Sequence, residues 1–187
     1  MAYCNQTLAG IPLDCTNSLG GIKTVYIANY GDVEALASDI QDDSTPENPD
    51  KTYGMITGIT MVEGAKFKPY QFRKETGSMT STLNADEKTG VNYVTTELSL
   101  VFTKMENAKR IEMSALAVGQ LAVIVKDSNG KYWYLGKEDY VSSSAGGATT
   151  GTAKTDQNAY TLTLKDESST YPFEVTEECV KTVIKDN

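Results

Sequence analysis

The chain has 187 residues, 40% of them hydrophobic, enough to bury one core without metal or disulfide staples, so a single domain over residues 1–187 is expected. A formal charge of -8 argues against a surface that captures nucleic-acid phosphates, because that affinity comes from clustered Lys and Arg. Histidine is absent, which removes the chemistry that rests on imidazole: neutral-pH general bases, most zinc sites and Ser-His-Asp triads.

No run approaches the roughly 20 apolar residues that span a bilayer, and the first residues lack the pattern of a signal peptide, so a protein made and assembled in cytosol is expected. In that reducing compartment Cys4, Cys15 and Cys179, widely spaced and without a CxxC pair, are expected as free or buried thiols rather than as a Cys4 to Cys15 bridge.

Residues 1–21 read as an irregular arm broken by Gly10, Pro12 and Gly20-Gly21, and residues 22–30 (IKTVYIANY) as a strand with apolar residues on both faces. Residues 33–40 have too little period to settle between a short helical turn and a loop. Residues 42–51 (DDSTPENPDK) have the composition of a projecting, solvated loop. Two β-favouring runs, 54–62 and 66–73, meet at Glu63-Gly64-Ala65 and suggest a hairpin; another strand is expected over 78–85.

Residues 91–103 alternate, with Val94, Leu98, Leu100 and Phe102 on the core side and Tyr93, Thr95, Glu97 and Ser99 on the wet side. After Lys104 the period becomes helical: Met105, Ala108, Ile111, Ala115 and Val118 form an apolar stripe up to Gly119, so a helix over about 105–118 should lie on the sheet by that stripe. An apolar strand at 120–126 and an aromatic one at 131–135 flank Asn129-Gly130, a pair suited to a type I′ turn. Residues 141–155 (VSSSAGGATTGTAKT) are small and polar and read as a flexible insertion. Strands are expected again at 160–165 and 172–175, before a charged tail.

Chemistry-bearing motifs are sparse. The acidic pairs Asp42-Asp43, Asp166-Glu167 and Glu177-Glu178 lack calcium-loop spacing and read as solvated surface. The glycines never form a phosphate cradle, so no cofactor is expected. Tyr132, Trp133 and Tyr134 could stack a sugar or base, but alternation sends Trp133 to the face opposite the tyrosines and favours core and subunit packing. The profile is that of an assembly module rather than an enzyme.

Two stretches, LGGIKTVYIANY (residues 19–30) and, within residues 76–136, TGSMTSTLN, YVTTELSLVFTKMENAKRIEMSAL and QLAVIVKDSNGKYWYLG, resemble tail proteins of tailed bacteriophages, particularly those of gut Bacteroidales, crAss-like phages included. The resemblance covers about two fifths of the chain. It implies a mainly β fold, a β-sandwich or rolled barrel of the tail-tube type with one flanking helix. It also implies a virion protein that forms homo-oligomeric rings, hexameric in this reading, stacked on themselves or on other tail proteins. DNA would pass through the ring without sequence-specific binding. Within that reading Asp42, Asp43, Pro46, Glu47, Pro49 and Asp50 are candidates for contact between rings, and Leu98, Leu100, Phe102, Ile111 and Trp133 for core and subunit packing. The alternative is a decoration or host-surface module that binds glycans through Trp133 and the tyrosines.

Overall fold

A computed structural model describes residues 10–11, 13–39 and 54–184. The chain is mainly β, with two sheets, two helices and one 3-10 turn among the described residues. The larger sheet contains β1 (Ile22–Asn29), β2 (Val33–Ser38), β3 (Ile56–Met61), β4 (Lys68–Tyr70), β7 (Leu121–Asp127), β8 (Tyr132–Leu135) and β11 (Phe173–Val175), in the order β2-β3-β11-β8-β7-β1-β4. The smaller one has the order β5-β6-β10-β9, from β5 (Ser78–Asp86), β6 (Val91–Thr103), β10 (Ala159–Ser168) and β9 (Ser142–Thr149). Neither sheet closes into a barrel among the described residues.

The period of each strand reports how many of its faces are covered. In β6, Val94, Leu98, Leu100 and Phe102 are buried while Tyr93 and Glu97 are exposed, because one face packs on the larger sheet and the other is open. Strand β7 is apolar without a break because both its faces are covered. Val123 and Val125 join Leu98, Leu100, Leu162 and Leu164 in the core between the sheets. Ala122 and Ile124 join Tyr132, Tyr134 and Phe67 in a second core on the far side.

That second core is filled by α2 (Glu177–Val183), a second helix where only one was expected. Cys179, Val180 and Val183 point inward, and Thr176 caps the helix by accepting the Cys179 N–H. The sheet must curl around it. Strands β3 and β4 are five strand spacings apart in the order, roughly 24 Å if flat, but only seven peptide steps join Met61 to Lys68, and these include a turn closed by Ala65 N–H to the Val62 carbonyl. The expected hairpin at Glu63-Gly64-Ala65 is therefore not formed: β3 pairs with β2 and β11, and β4 pairs with β1.

Helix α1 (Asn107–Val118) forms where a helix was expected but shows the core a different face. Leu116 is buried and Met113 packs against the inter-sheet core, whereas Ile111 is 55% and Val118 87% exposed, with Ala108 and Ala115 also exposed. Ile111 is thus not a core residue. The cause lies at the start of the helix: the Lys109 ammonium donates to the Thr103 carbonyl at 2.8 Å and pairs with Glu106, so the face of Lys109, Met113 and Leu116 (i, i+4, i+7) turns inward.

Three local readings also change. Residues 33–38 are a strand, following a 3-10 turn at Tyr30–Asp32. The β7–β8 connection is not type I′, since Gly130 has φ 88° and Asn129 has no positive φ; the Asn129 side chain instead clamps Leu19, accepting from its N–H and donating to its carbonyl. Residues 141–155 are not a flexible insertion. Val141 is fully buried and bridged to Leu121, Ser142–Thr149 pairs along β10, and the following loop is held by Asp156, which accepts the N–H groups of Thr152 and Ala153. Strand pairing is a backbone property, so small polar side chains do not prevent it.

Candidate assembly interface

The four-stranded sheet is the one large surface whose outer side nothing in the described chain covers. Its outward positions are mostly hydroxylic: Ser78, Thr80 and Thr82 on β5, Thr95 and Ser99 on β6, Thr161 and Thr163 on β10. These groups bond across strands, as in Ser99 to Thr163 (3.4 Å) and Asn84 Nδ2 to Thr95 Oγ1 (3.0 Å). Within the strands this face carries three carboxylates, Asp86, Glu97 and Glu167, against one ammonium, Lys165, which is paired to Glu167 at 2.7 Å.

The two edges of this sheet have no strand partner within the described chain, and helix α1 lies beside β9. Strand β9 (SSSAGGAT) has neither charge nor proline, and residues 144–149 are exposed throughout. A Cβ on Gly146 or Gly147 would meet only residues of β10 within 4 Å, so nothing else packs closely on the faces of the strand at these two positions. Strand β5 (SMTSTLNAD) has a single charge, Asp86 at its end, where it closes the β5–β6 turn by accepting the N–H groups of Lys88 and Thr89. Unpaired N–H and C=O groups along such edges are templates for another strand, and proteins that must stay monomeric usually blunt them with Lys, Pro or bulges.

Behind the face, the inward residues Ser81, Thr96 and Asp166 form one polar row between apolar rows. Ser81 and Thr96 bond at 2.8 Å, and Asp166 Oδ1 accepts the Gly136 N–H at 3.2 Å. Asp166 is 3% exposed, so it is not the solvated residue expected of the Asp166-Glu167 pair; Glu167 is. Burial pushes the Asp166 carboxyl up to about 6; the Gly136 N–H opposes this, and the nearby Glu138, Asp139 and Glu167 add to it. The signal was in the sequence: the parity of Leu162 and Leu164 continues to Asp166.

The remaining sequence candidates are placed as follows. Leu98, Leu100 and Phe102 are buried in the inter-sheet core. Trp133 is half-buried against the same core, its Nε1–H donating to Asp127 at 3.1 Å, while Tyr132 and Tyr134 lie buried on the opposite face. The KYWYL run therefore offers no exposed aromatic platform for a sugar. Burial raises the Tyr134 phenol above its ordinary range, and its hydroxyl is enclosed without a hydrogen-bond partner. Cys15 is an exposed thiol and Cys179 a buried one. Cys4 and the candidate ring-contact residues Asp42, Asp43, Pro46, Glu47, Pro49 and Asp50 lie outside the described residues. No helix is long and apolar enough to cross a membrane among the described residues. Comparison with protein-family models, with curated proteins and with solved structures gives no match.

Proposed function

We propose that this chain is a structural subunit of a phage tail, which assembles with copies of itself into closed rings that form the tail tube or a tail ring. The observation that carries the reading is the pair of edges without a strand partner on one four-stranded sheet. With four antiparallel strands, β5 and β9 run in opposite directions. Copies related by rotation about an axis can then join β9 to β5 and keep the antiparallel alternation around the ring. Such a junction is head-to-tail and leaves no free edge once closed.

In this arrangement the hydroxyl-covered outer face lines the conduit. Its carboxylates outnumber its ammonium groups, so a passing DNA backbone meets weak repulsion and no basic wall to adhere to. The resemblance to tail proteins supplies the setting, a virion tail built in the bacterial cytoplasm from six copies per ring. The burial of Tyr132 and Tyr134 removes those two rings from the glycan-binding alternative. Size-exclusion chromatography with light scattering, followed by negative-stain electron microscopy, tests the proposal: rings or tubes are expected from the purified chain. A monomer at every concentration through the micromolar range overturns self-assembly.

A further inference from the structure

The two unpaired edges are not level with one another. Counted on β6, strand β5 spans the rows of Ser99 to Val91, whereas β9, read through β10, spans those of Thr103 to Glu97. If neighbouring copies met at the same height, only three rows would overlap, those of Ser78, Met79 and Thr80. A junction along the whole edge needs each copy to be displaced along the strands relative to the last.

The displacement is restricted further by the pleat. Shifting by an odd number of residues would put the hydroxylic side of one copy against the core side of the next, so only even shifts keep both faces continuous. A shift of two leaves part of β9 unpaired. A shift of four is the smallest that gives all seven paired positions of β9 a partner on β5. It also leaves Asp86, already engaged in its turn, outside the junction.

On these grounds, and resting on the ring reading above, we infer that β9 of one copy pairs with β5 of the next at a four-residue stagger, Thr149 opposite Ser78, Gly147 opposite Thr80 and Ala145 opposite Thr82. The shift fixes the shape of the assembly. Four residues advance about 14 Å along the strands while four strands advance about 19 Å across them, which tilts the strands by about 35° to the ring axis. That is the lower end of the range that closed barrels adopt, so the chain's own edge offset supplies what closure requires. Each copy then contributes about 23 Å of circumference, and six copies make a backbone cylinder about 45 Å across.

Paired cysteines test the register in a Cys4→Ser, Cys15→Ser background, with circular dichroism to confirm that each variant folds; Ala145 and Thr82 are exposed, so both positions tolerate the change. Directly opposite residues bring Cβ atoms within disulfide reach, and residues displaced by two or more do not. Ala145→Cys with Thr82→Cys should yield, after oxidation, a ladder of covalent multimers on a non-reducing gel. Ala145→Cys with Ser78→Cys, which matches no stagger, and Ala145→Cys with Asn84→Cys, which matches a stagger of six, should stay monomeric on the same gel. A ladder through Ser78 or Asn84 instead overturns the four-residue stagger. Rings visible by electron microscopy with no ladder through Thr82 overturn the register and leave the ring reading standing, whereas monomers throughout overturn both.

Discussion

The seven-stranded sheet ends in β2, whose register with β3 slips twice and which exposes Glu34, and in β4, three residues long with Lys68 and Pro69. The four-stranded sheet ends in β5 and β9, nine and eight residues long, with one charge between them, no proline and a single register slip of β9 against β10 between Thr163 and Leu164. Both sheets share one core, so the contrast does not arise from burial. Short, irregular, charged or proline-bearing edges resist pairing with another chain, and long plain ones invite it. One sheet has short or irregular ends; the other has the longer ends that the proposed ring would use.

The sharpest way to break this comparison is to blunt the open edge. Ala148 lies on the core-facing parity of β9, so Ala148→Lys would bury an ammonium against the next copy and should abolish ring formation, while unfolding shifts by no more than about 0.5 kcal/mol because the site is exposed in the free chain. Ala35→Lys on β2 is the matching control and should assemble normally. Equal loss of assembly in both, read by light scattering, would mean that the two sheets do not differ in this way.

A smaller effect should come from the polar row. The folded Asp166 carboxyl holds its proton up to about pH 6 and the unfolded one only to about 3.8, so between those values the native state binds the extra proton and stability falls as pH rises. Above pH 6 the ionised acid leaves a residual destabilisation of order 2–3 kcal/mol at most. Asp166→Asn keeps an acceptor for Gly136 without the charge. It should raise stability at pH 7.5 by about 1–3 kcal/mol and flatten the dependence between pH 4 and 6, as measured by urea unfolding. A variant less stable than the parent at pH 7.5 would show that the carboxylate is held by favourable contacts.

The smallest effect is expected at Ile111 on α1, with buried Leu116 as the contrast. Ile111→Asp alters an exposed position and should move the unfolding free energy by less than about 0.5 kcal/mol, whereas Leu116→Asp places a charge in the core and should cost several kcal/mol. Thermal unfolding of the pair checks which face the helix presents.

What the sequence made legible follows from what side-chain period reports. The alternation of β6 and the unbroken run of β7 are readable because side chains record whether one face or both are covered. Period does not say which strand pairs with which, so the partners of β3 and β4, set by a curl around a helix over one hundred residues later, were hidden behind a local hairpin reading. The α1 stripe misled because Met113 and Leu116 form a second apolar face at equally good spacing, and the choice between faces is made by Lys109 reaching back to the end of β6. The open edge was the least legible element. In β9 the pairing is carried by the backbone, and a composition of Ser, Gly, Ala and Thr looks the same in a strand as in a linker.

Strand β11 has a consequence for the order in which the molecule comes together. It sits between β3 and β8, and its single parallel pairing joins Val175 to Ile56 across 119 residues of chain. Among the described residues the β2–β3 pair is linked to the rest of its sheet through that strand alone. Contacts of such high sequence separation form late, because a long loop must close before any of them is made. The β5–β6 hairpin, by contrast, spans only a short turn and can form early. During folding, then, the β5–β6 hairpin can form before the second core closes around α2, so the unpaired edge of β5 is present while the larger sheet is still incomplete.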